Sequence, residues 1–494
     1  MESYQLNQTI RTTAELLGCE QEEAQELWNQ VRNLPLHSKR VINPLEMGIH
    51  SDENKSLGFF IAGLRSGLFV SRWNVVCPIC GSVVETQEAL QHFFQDSYTC
   101  PVCESPVQVD LDSTVEVTFC PSPAFFPENH DPFSGDQGSY QEHYLSSRYL
   151  RAPELRDYIS QNTISFSLLG LWEFGKVSFQ CKAGETFRII NMETRSTLLV
   201  QACEVPSPKP SFLDKMIKHL ESTGDNRPIQ TLETDLKDEG FVLKIIDCKP
   251  GKVELWVHNQ IEKPVGLQVL KTDWTAFRQV LGRNIPHAKK VLTGKRLVTD
   301  QSFRDFLLND GLPADFRMSI SGLTILFTNL HDSVNLFRTL GDEAAYDHIQ
   351  NHYTLISKQV RTHHGAVVKT MGDQVMAVFS FPQDGFLCAL GIQKSLEEYN
   401  ISRDIGLKIQ AALHEDKALA VKANRTLDFF GSSINKGAKL LQHTKPGEIW
   451  LTGRFMENPA TMRLPGKLGF NSIQHQVILD GVSPELVYQC LKSE

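Results

Sequence analysis

Long hydrophobic runs are missing from this 494-residue sequence. A membrane-spanning helix needs roughly 18 to 20 consecutive apolar residues, and the nearest approach, residues 57–70, is interrupted by Arg65. The N-terminus has no basic segment that leads into an apolar core, so no secretory signal is expected. The sequence therefore predicts a cytoplasmic protein with no membrane span.

Negative charges outnumber positive ones, with 58 Asp and Glu against 49 Lys and Arg. The formal net charge is -9 at pH 7, and residues 77–120 contain no Lys or Arg. Proteins that bind a nucleic-acid backbone neutralise its phosphates with clustered Lys and Arg side chains. Nucleic acid is therefore not an expected partner of this chain.

Cysteine is limited to 11 residues, and four of them form two Cys-x-x-Cys pairs: Cys77 with Cys80, and Cys100 with Cys103. This spacing is typical of a zinc ribbon, in which four thiolates close a tetrahedron around one structural Zn²⁺. Two redox dithiols or a chance pattern are the alternatives, although a thioredoxin-like motif would need a βαβ context that is absent here. The remaining cysteines are scattered, as expected in a reducing compartment.

Length and composition indicate several domains. The composition is that of an ordinary soluble protein, 41% hydrophobic and 22% charged. Changes in the hydrophobic pattern divide the chain into five parts and predict an α+β multidomain protein. In chain order these are a helical N-terminal region (1–70), a zinc ribbon (71–125), a β-rich regulatory domain (126–315), an α/β domain (316–460) and a C-terminal β extension (461–494).

Local patterns support the first and third of these parts. Thr12 or Thr13 is predicted to cap a long helix that ends near Val31. In the third part, polar residues 226–235 are interpreted as an insertion. Short β-type runs surround that insertion and predict a small all-β domain; they lie at 163–205 and 240–270.

Residues 324–413 alternate between β-type and helical patterns. A short apolar run at 324–328 predicts a strand, and the apolar spacing of 333–362 predicts a helix that Gly365 ends. Two further strands flank a turn at Gly372 and Asp373, which predicts a β-hairpin. A sheet with helices on its outer face is the natural closure for this order of elements.

Five blocks in this part of the chain match a known family in order and spacing. They are LTILFTNLHDSVNLF and HHGAVVKTMGDQVMAVF within 323–379, GDEAAY at 341–346, LDFFGSSIN at 427–435 and PGEIWLT at 446–452. Through these blocks the region resembles the catalytic domain of class III nucleotidyl cyclases, the adenylate and guanylate cyclases. The resemblance implies a ferredoxin-like α/β fold. It also implies attack of a ribose 3′-hydroxyl on the α-phosphate of a nucleoside triphosphate, which gives a cyclic nucleotide and pyrophosphate.

The resemblance places the metal-binding positions at Asn329 and Asp373. In the family, two carboxylates hold Mg²⁺ or Mn²⁺ ions that activate the nucleophile and neutralise the leaving group. Asp373 keeps the second carboxylate, whereas Asn329 stands in place of the first and offers only a neutral carbonyl oxygen. Asp332 occupies a position at which the family prefers Gly, and it could either replace the missing ligand or repel the phosphates. The active site is therefore divergent.

The nucleotide-reading positions are better preserved. Lys369 and Asp428 match the purine-recognition pair, and Lys with Asp is the adenine-reading combination, because the ammonium donates to a ring nitrogen and the carboxylate accepts from the exocyclic amine. ATP is therefore the expected substrate. Asn435 matches the residue that orients the ribose. Lys439 stands where the family has an Arg on the α-phosphate, so the planar fork that contacts two phosphate oxygens is lost.

Each of these residues also has a purely structural interpretation. Asp373 is a turn former after Gly372, Asn435 could cap a helix, and Lys369 could be a solvated charge on a strand edge. Isolated motif matches are often accidental, whereas several matches at family spacing favour the cyclase interpretation.

In this family each site forms at a dimer interface, with the metal carboxylates from one chain and the nucleotide-reading residues from the other. A homodimer would have two sites that each lack one carboxylate and the Arg. In a heterodimer this chain could complete a site whose partner brings both carboxylates. The expected function is an adenylate cyclase of reduced activity. The alternatives are a pseudocyclase that binds ATP or completes a heterodimeric site, and a zinc-dependent interaction scaffold.

The N-terminal part carries a weaker likeness. Residues 73–80 and 115–121 resemble the uncharacterised zinc-ribbon and β-rich region that precedes such cyclase domains in some bacterial proteins. That likeness implies a sensor or partner-docking role for roughly the first 310 residues.

Overall fold

The structure, a computed structural model, describes most of the chain. The described residues are 2–47, 53–79, 81–93, 95–101, 105–126, 153–203, 229–273, 275–276, 279–280, 290–307, 312–423 and 426–492. No helix within these ranges is long and apolar enough to cross a membrane.

Four helices open the chain: α1 (Glu2–Leu17), α2 (Gln21–Arg32), α3 (Leu36–Lys39) and α4 (Glu53–Ser66). The prediction of one helix capped at Thr12 or Thr13 is wrong, because Thr13 lies inside α1 and its hydroxyl donates to the carbonyl oxygen of Thr9 at 2.8 Å. Gly18 has a φ of +72° and ends α1 in a left-handed conformation that glycine adopts without strain.

A three-stranded antiparallel sheet follows the helices, in the order β2–β1–β5. Its strands are β1 (Phe69–Val76), β2 (Val83–Gln87) and β5 (Val115–Pro121), and the hairpin β3 (Ser97–Thr99) with β4 (Pro106–Gln108) lies between β2 and β5 in the chain. The helices cover this sheet through aromatic contacts. Phe60 and Trp28 place their ring centroids 4.6 Å and 5.8 Å from that of Phe69.

The middle of the chain is a two-sheet β structure preceded by α5 (Pro153–Asn162). One sheet has the order β11–β10–β13–β7 and the other β12–β9–β8–β14–β6. The strands are β6 (Thr163–Leu169), β7 (Phe174–Cys181), β8 (Thr186–Asn191), β9 (Ser196–Ala202), β10 (Gln230–Lys237), β11 (Gly240–Phe241), β12 (Ile245–Cys248), β13 (Gly251–Asn259) and β14 (Val265–Lys271).

Strand β10 corrects the prediction of a polar insertion at 226–235. It pairs in parallel with β13 and buries Thr234 and Leu236, while Glu233 faces outward. The polar residues therefore belong to the solvent side of an alternating strand. Residues 226–228 lie outside the described ranges.

Two short helices, α6 (Gly294–Val298) and α7 (Gln301–Leu307), connect this region to a large C-terminal sheet in the order β16–β17–β15–β18–β20–β22–β21, with β19 paired to β18. Its strands are β15 (Arg317–Leu330), β16 (Ala366–Met371), β17 (Gln374–Phe379), β18 (Ile409–Ala423), β19 (Thr426–Phe430), β20 (Ile449–Thr452), β21 (Phe470–Ile478) and β22 (Pro484–Lys492).

The predicted hairpin is present as β16 and β17, but the helix predicted over 333–362 is divided into two. Gly341, with a φ of +81°, separates them. The helices of this part are α8 (Ser333–Leu340), α9 (Asp342–Thr362), α10 (Pro382–Arg403), α11 (Ser432–His443), α12 (Gly453–Glu457) and α13 (Leu464–Lys467).

Alternate residues of β15 face two different cores. Leu326 and Leu330 pack with buried residues of α9 and α10, whereas Leu323, Ile325 and Phe327 join a cluster that includes α11 and the N-terminal sheet. This period of two is the ordinary pleat of a strand. The N-terminal region therefore packs on the sheet face opposite α9 and α10.

Candidate nucleotide-binding site

Asn329 and Asp373, the two positions predicted to bind metal, lie side by side at one end of the C-terminal sheet. Asn329, near the end of β15, is aligned with Gln374, the residue directly after Asp373. The amide nitrogen of Leu330 also donates to the carbonyl oxygen of Asp373 at 3.2 Å. The carboxylate of Asp373 accepts a hydrogen bond of 2.7 Å from the Ser333 hydroxyl at the start of α8. The fold thus brings these two positions together.

Two successive amide hydrogen bonds fix the orientation of the Asn329 side chain. Gln410, aligned with Asn329 on β18, donates to the carbonyl oxygen of Thr444 and turns its own oxygen toward Asn329. The amide nitrogen of Asn329 donates to that oxygen at 2.9 Å. Within the described chain Asn329 Oδ1 accepts no hydrogen bond, so this neutral oxygen is the atom available to a cation.

Asp332 enters α8 in a strained backbone conformation. Its φ of +58° and ψ of 36° lie in the left-handed region, and its side chain makes no capping hydrogen bond. Such a conformation is favourable for glycine and costs energy for most other residues. The backbone at Asp332 therefore has a conformation that is typical of glycine, and its carboxylate is exposed.

Lys369 and Asp428 form a bidentate ion pair between β16 and β19, two strands that are not hydrogen-bonded to each other. Lys369 Nζ on β16 lies 2.8 Å and 3.0 Å from the two carboxylate oxygens of Asp428 on β19. Asp428 also accepts from the amide nitrogen of Phe429 at 2.7 Å, and Lys369 Nζ lies 5.5 Å from the centre of the Phe430 ring. Lys369 is a partly exposed residue with a fixed partner, so the interpretation as a freely solvated charge does not describe it.

Asn435 and Lys439 lie one turn apart on α11, and both side chains are exposed. Asn435 is inside this helix and is not a cap. In the described part of the chain neither side chain has a polar partner. The helix sits close to the sheet because Gly437 faces Phe327, where a β-carbon would come within 2.9 Å of the ring. The exposed face of α11 thus presents an amide and an ammonium to solvent.

Several residues around the site gave no signal in the sequence. Gln410 and Ser333 form hydrogen bonds with Asn329 and Asp373, as described above. His352 on α9 is 1% exposed, and neither ring nitrogen has a hydrogen-bond partner among the described residues. Burial lowers the pKa of His352 to about 4, and the nearby carboxylate of Asp373 opposes that shift only in part. These contacts join residues far apart in sequence, so local patterns could not reveal them.

The cysteine motif is described in part. Cys77 and Cys100 are buried, whereas Cys80 and Cys103 lie outside the described residues. The amide nitrogen of Cys77 donates to Ser82 O and that of Cys100 donates to Ser105 O, each at 2.9 Å. Ser82 Oγ lies 3.1 Å from Cys100 Sγ, so Ser82 and Cys100 are in contact. Among the described residues no group of three or more His, Cys, Asp or Glu side chains could hold a metal ion.

Two protein families match separate parts of the chain. Residues 317–464 match the family described as "Adenylate and Guanylate cyclase catalytic domain", and residues 7–182 match a "Family of unknown function (DUF5939)". The C-terminal part of the chain is thus a class III adenylate/guanylate cyclase catalytic domain. No function follows from the N-terminal match.

Similar proteins include an adenylate cyclase of Podospora anserina, which is 28% identical over 155 residues. That alignment covers 27% of this chain and 7% of the relative's length. The crystal structure of adenylyl cyclase CyaB from P. aeruginosa is 18% identical and covers 36% of this chain and 97% of its own, with a TM-score of 0.32. The guanylyl cyclase Cya2 structure is 14% identical, covers 37% and 96% and also has a TM-score of 0.32.

Proposed function

We propose that this chain is an ATP-directed cyclase of reduced activity that forms cyclic AMP and pyrophosphate. The observation that carries the proposal is the ion pair between Lys369 on β16, which is partly exposed, and Asp428 on β19, which is largely buried. Its ammonium and carboxylate match the acceptor and donor of an adenine edge, whereas guanine presents the reverse pattern. Asn435 and Lys439 on α11 would then contact the ribose and the α-phosphate.

Mg²⁺ or Mn²⁺ is the cofactor that this domain would use. Asp373 and Asn329 supply oxygen donors of the type that these ions prefer, and the triphosphate would provide others. When bound, the ions would activate the 3′-hydroxyl and neutralise the leaving pyrophosphate. The donor set is thus of the right chemistry but carries one negative charge where two are expected.

The missing charge is the reason for reduced activity. One unit charge pair at about 4 Å is worth roughly 4 kcal/mol at an effective dielectric near 20. A barrier change of that size is on the order of a thousandfold in rate. Lys439 adds a second loss, since an ammonium contacts phosphate as a point charge and not as a two-pronged fork.

Cyclic AMP formation by the purified full chain with ATP and Mn²⁺ tests this proposal. Asp373→Ala is the control, because it removes the remaining carboxylate. Product that disappears in the control would support a working enzyme. No product from the wild-type chain, at a sensitivity that detects one turnover per hour, would exclude the chain as an independent cyclase.

A second candidate is a pseudocyclase that completes a site with another cyclase chain. It is favoured because the two groups of predicted site residues differ in how well they match the family. The nucleotide-reading residues match except at Lys439, whereas the metal-binding positions lack one carboxylate. A mixing experiment tests it: this chain is added to a cyclase whose own nucleotide-reading Lys has been replaced. Recovery of activity with the wild-type chain, but not with its Lys369→Ala variant, would support trans-complementation. No recovery would exclude trans-complementation for that partner.

We also propose that Cys77, Cys80, Cys100 and Cys103 bind a structural Zn²⁺. The proposal is supported by the spacing of the four cysteines and by the distance of 3.1 Å between Ser82 Oγ and Cys100 Sγ, which joins the segment after Cys77 to Cys100. Metal analysis of the purified protein should find one zinc per chain. A chain with Cys100→Ser that keeps the same zinc content would overturn it, with Cys120→Ser, a buried strand cysteine, as the matched control.

A further inference from the structure

Helix α7 contacts both strands that carry the base-reading pair. Gln301 Oε1 accepts a hydrogen bond of 2.6 Å from the amide nitrogen of Val367, two residues before Lys369. Arg304 Nη2 donates to the carbonyl oxygen of Leu427 at 2.6 Å, the residue directly before Asp428. One short helix therefore holds the backbone next to each member of the pair.

Strand β16 depends on this support more than an inner strand would. It lies at the edge of the sheet, and its pairing with β17 is irregular between Val367 and Lys369. A regular ladder fixes each residue through its neighbours, whereas an irregular edge strand leaves part of the backbone without that restraint. The contact from Gln301 falls at this irregular position.

Arg304 supports β19 from a buried position. It is 7% exposed, and its guanidinium lies 5.6 Å from the centre of the Phe429 ring. Burial lowers the pKa of Arg304 to about 10, and the negative charge of Asp428 acts against this shift. The side chain thus remains a cation close to the carboxylate of Asp428.

The position of α7 is itself set by the N-terminal sheet. Its Phe303 ring lies 5.9 Å from the ring of Trp73 on β1. Just before α7, the amide nitrogen of Val117 on β5 donates to Leu292 O at 2.7 Å, and the amide nitrogen of Lys295 donates to Leu111 O at 2.7 Å. The segment 290–307 is therefore fixed on one side by the N-terminal sheet and on the other by β16 and β19.

We propose that Gln301 and Arg304 are positioning residues for the Lys369–Asp428 pair. Selectivity for adenine then depends on the position of α7. This inference rests on the proposed function only in that Lys369 and Asp428 read the base. It adds that two residues outside the catalytic domain, neither of which touches the nucleotide, set the separation of the pair.

Binding of 3′-deoxy-ATP and 3′-deoxy-GTP to the full chain with Mn²⁺ tests the inference, because these probes lack the attacking hydroxyl and cannot turn over. The readout is the ratio of the two dissociation constants. Gln301→Leu removes the acceptor for Val367 N and is expected to lower the preference for the adenine probe about fivefold, the equivalent of one hydrogen bond. Gln301→Glu keeps an acceptor and is expected to keep the preference.

Two further variants sharpen the comparison. Arg304→Met removes the donor to Leu427 O and should lower the ratio in the same direction. Gln393→Leu is the matched control: Gln393 Nε2 donates to Gly447 O at 2.9 Å, a bond of the same type that touches neither β16 nor β19. This control should leave the ratio unchanged.

The outcomes separate the inference from the proposed function. A wild-type chain that binds neither probe, or a Lys369→Ala variant that keeps the adenine preference, would overturn both. If Lys369→Ala loses the preference while Gln301→Leu keeps it, only the positioning role is overturned. Equal weakening of both probes in Gln301→Leu would also overturn it, since a loss of general stability changes both affinities together.

Discussion

Among single residues, Asn329 makes the clearest prediction because its environment fits an amide and not a carboxylate. Its nitrogen donates to Gln410, and Gln410 is held by Thr444. Asn329→Asp would place two acceptor oxygens against each other, so we expect a loss of about 1 kcal/mol in the free energy of unfolding. In the double variant with Lys439→Arg, however, cyclic AMP formation should rise at least about tenfold, since the second metal carboxylate and the two-pronged phosphate contact are both restored.

The measurement is cyclic AMP production with Mn²⁺ alongside denaturant unfolding of the same samples. Adding Asp373→Ala to the double variant should remove the gain. A double variant that gains no activity would show that Asn329 and Lys439 are not the positions that limit the reaction.

Two buried histidines predict acid sensitivity. His352 and His414 are 1% and 2% exposed, and burial lowers the pKa of each to about 4, below the value of 6.5 that is expected in the unfolded chain. Below about pH 6.5 these histidines bind more protons in the unfolded state than in the folded state. The free energy of unfolding is therefore at its full value above about pH 6.5 and falls as the pH decreases. The loss between about pH 7 and pH 5 is on the order of 2 kcal/mol for each histidine. His352→Leu should make the unfolding midpoint depend less on pH, whereas exposed His92 replaced by Leu should not.

At the N-terminal end of α8, replacement of Asp332 by glycine is expected to increase the stability of the protein. Asp332 is held at a φ of +58°, and Asp404, at the end of α10, has a φ of 52°. Asp332→Gly and Asp404→Gly should each stabilise the protein by about 1 kcal/mol, because both relieve a left-handed aspartate. Only Asp332→Gly should also tighten ATP binding, since it removes a negative charge next to the proposed phosphate site. Equal ATP affinity in the two variants would exclude an effect of Asp332 on the nucleotide.

The helices and strands also show which features of the fold could be predicted from the sequence. The β16–β17 hairpin was predictable, because apolar alternation and a Gly-Asp turn are local signals. The break at Gly341 and strand β10 were missed, because helical spacing continued across the glycine and because the exposed side of β10 is polar. The contact between Lys369 and Asp428 could be expected only through family resemblance. The role of α7 could not be predicted, since Gln301 and Arg304 bind backbone atoms 66 and 123 residues away.

At the scale of the whole molecule, Asp110 joins the N-terminal region to the catalytic domain. It is buried, and its carboxylate accepts hydrogen bonds of 2.9 Å from Ser319 and from Ser321, both on β15. Burial would raise its pKa, but these hydroxyls and the amide of Ser113 lower it overall. Asp110→Ala should therefore lower the free energy of unfolding by about 2 kcal/mol and increase hydrogen exchange in β15.

Asp96→Ala is the matched control, because the Asp96–Arg317 pair also links the two regions but is 64% and 69% exposed. Its effect should be below about 0.5 kcal/mol. Equal effects of the two substitutions would show that Asp110 is no more important than a surface pair.

The core that begins with Ile10 in α1 is continuous with Phe327 on β15 and Val487 on β22. This continuity means that the catalytic domain is not an exchangeable cassette. A chimera that joined another cyclase domain after residue 307 would need to supply apolar side chains matching Leu323 and Ile325 on the face that meets the N-terminal sheet. Recombination within the two-sheet β structure would meet no such demand, because its buried residues form a core of their own.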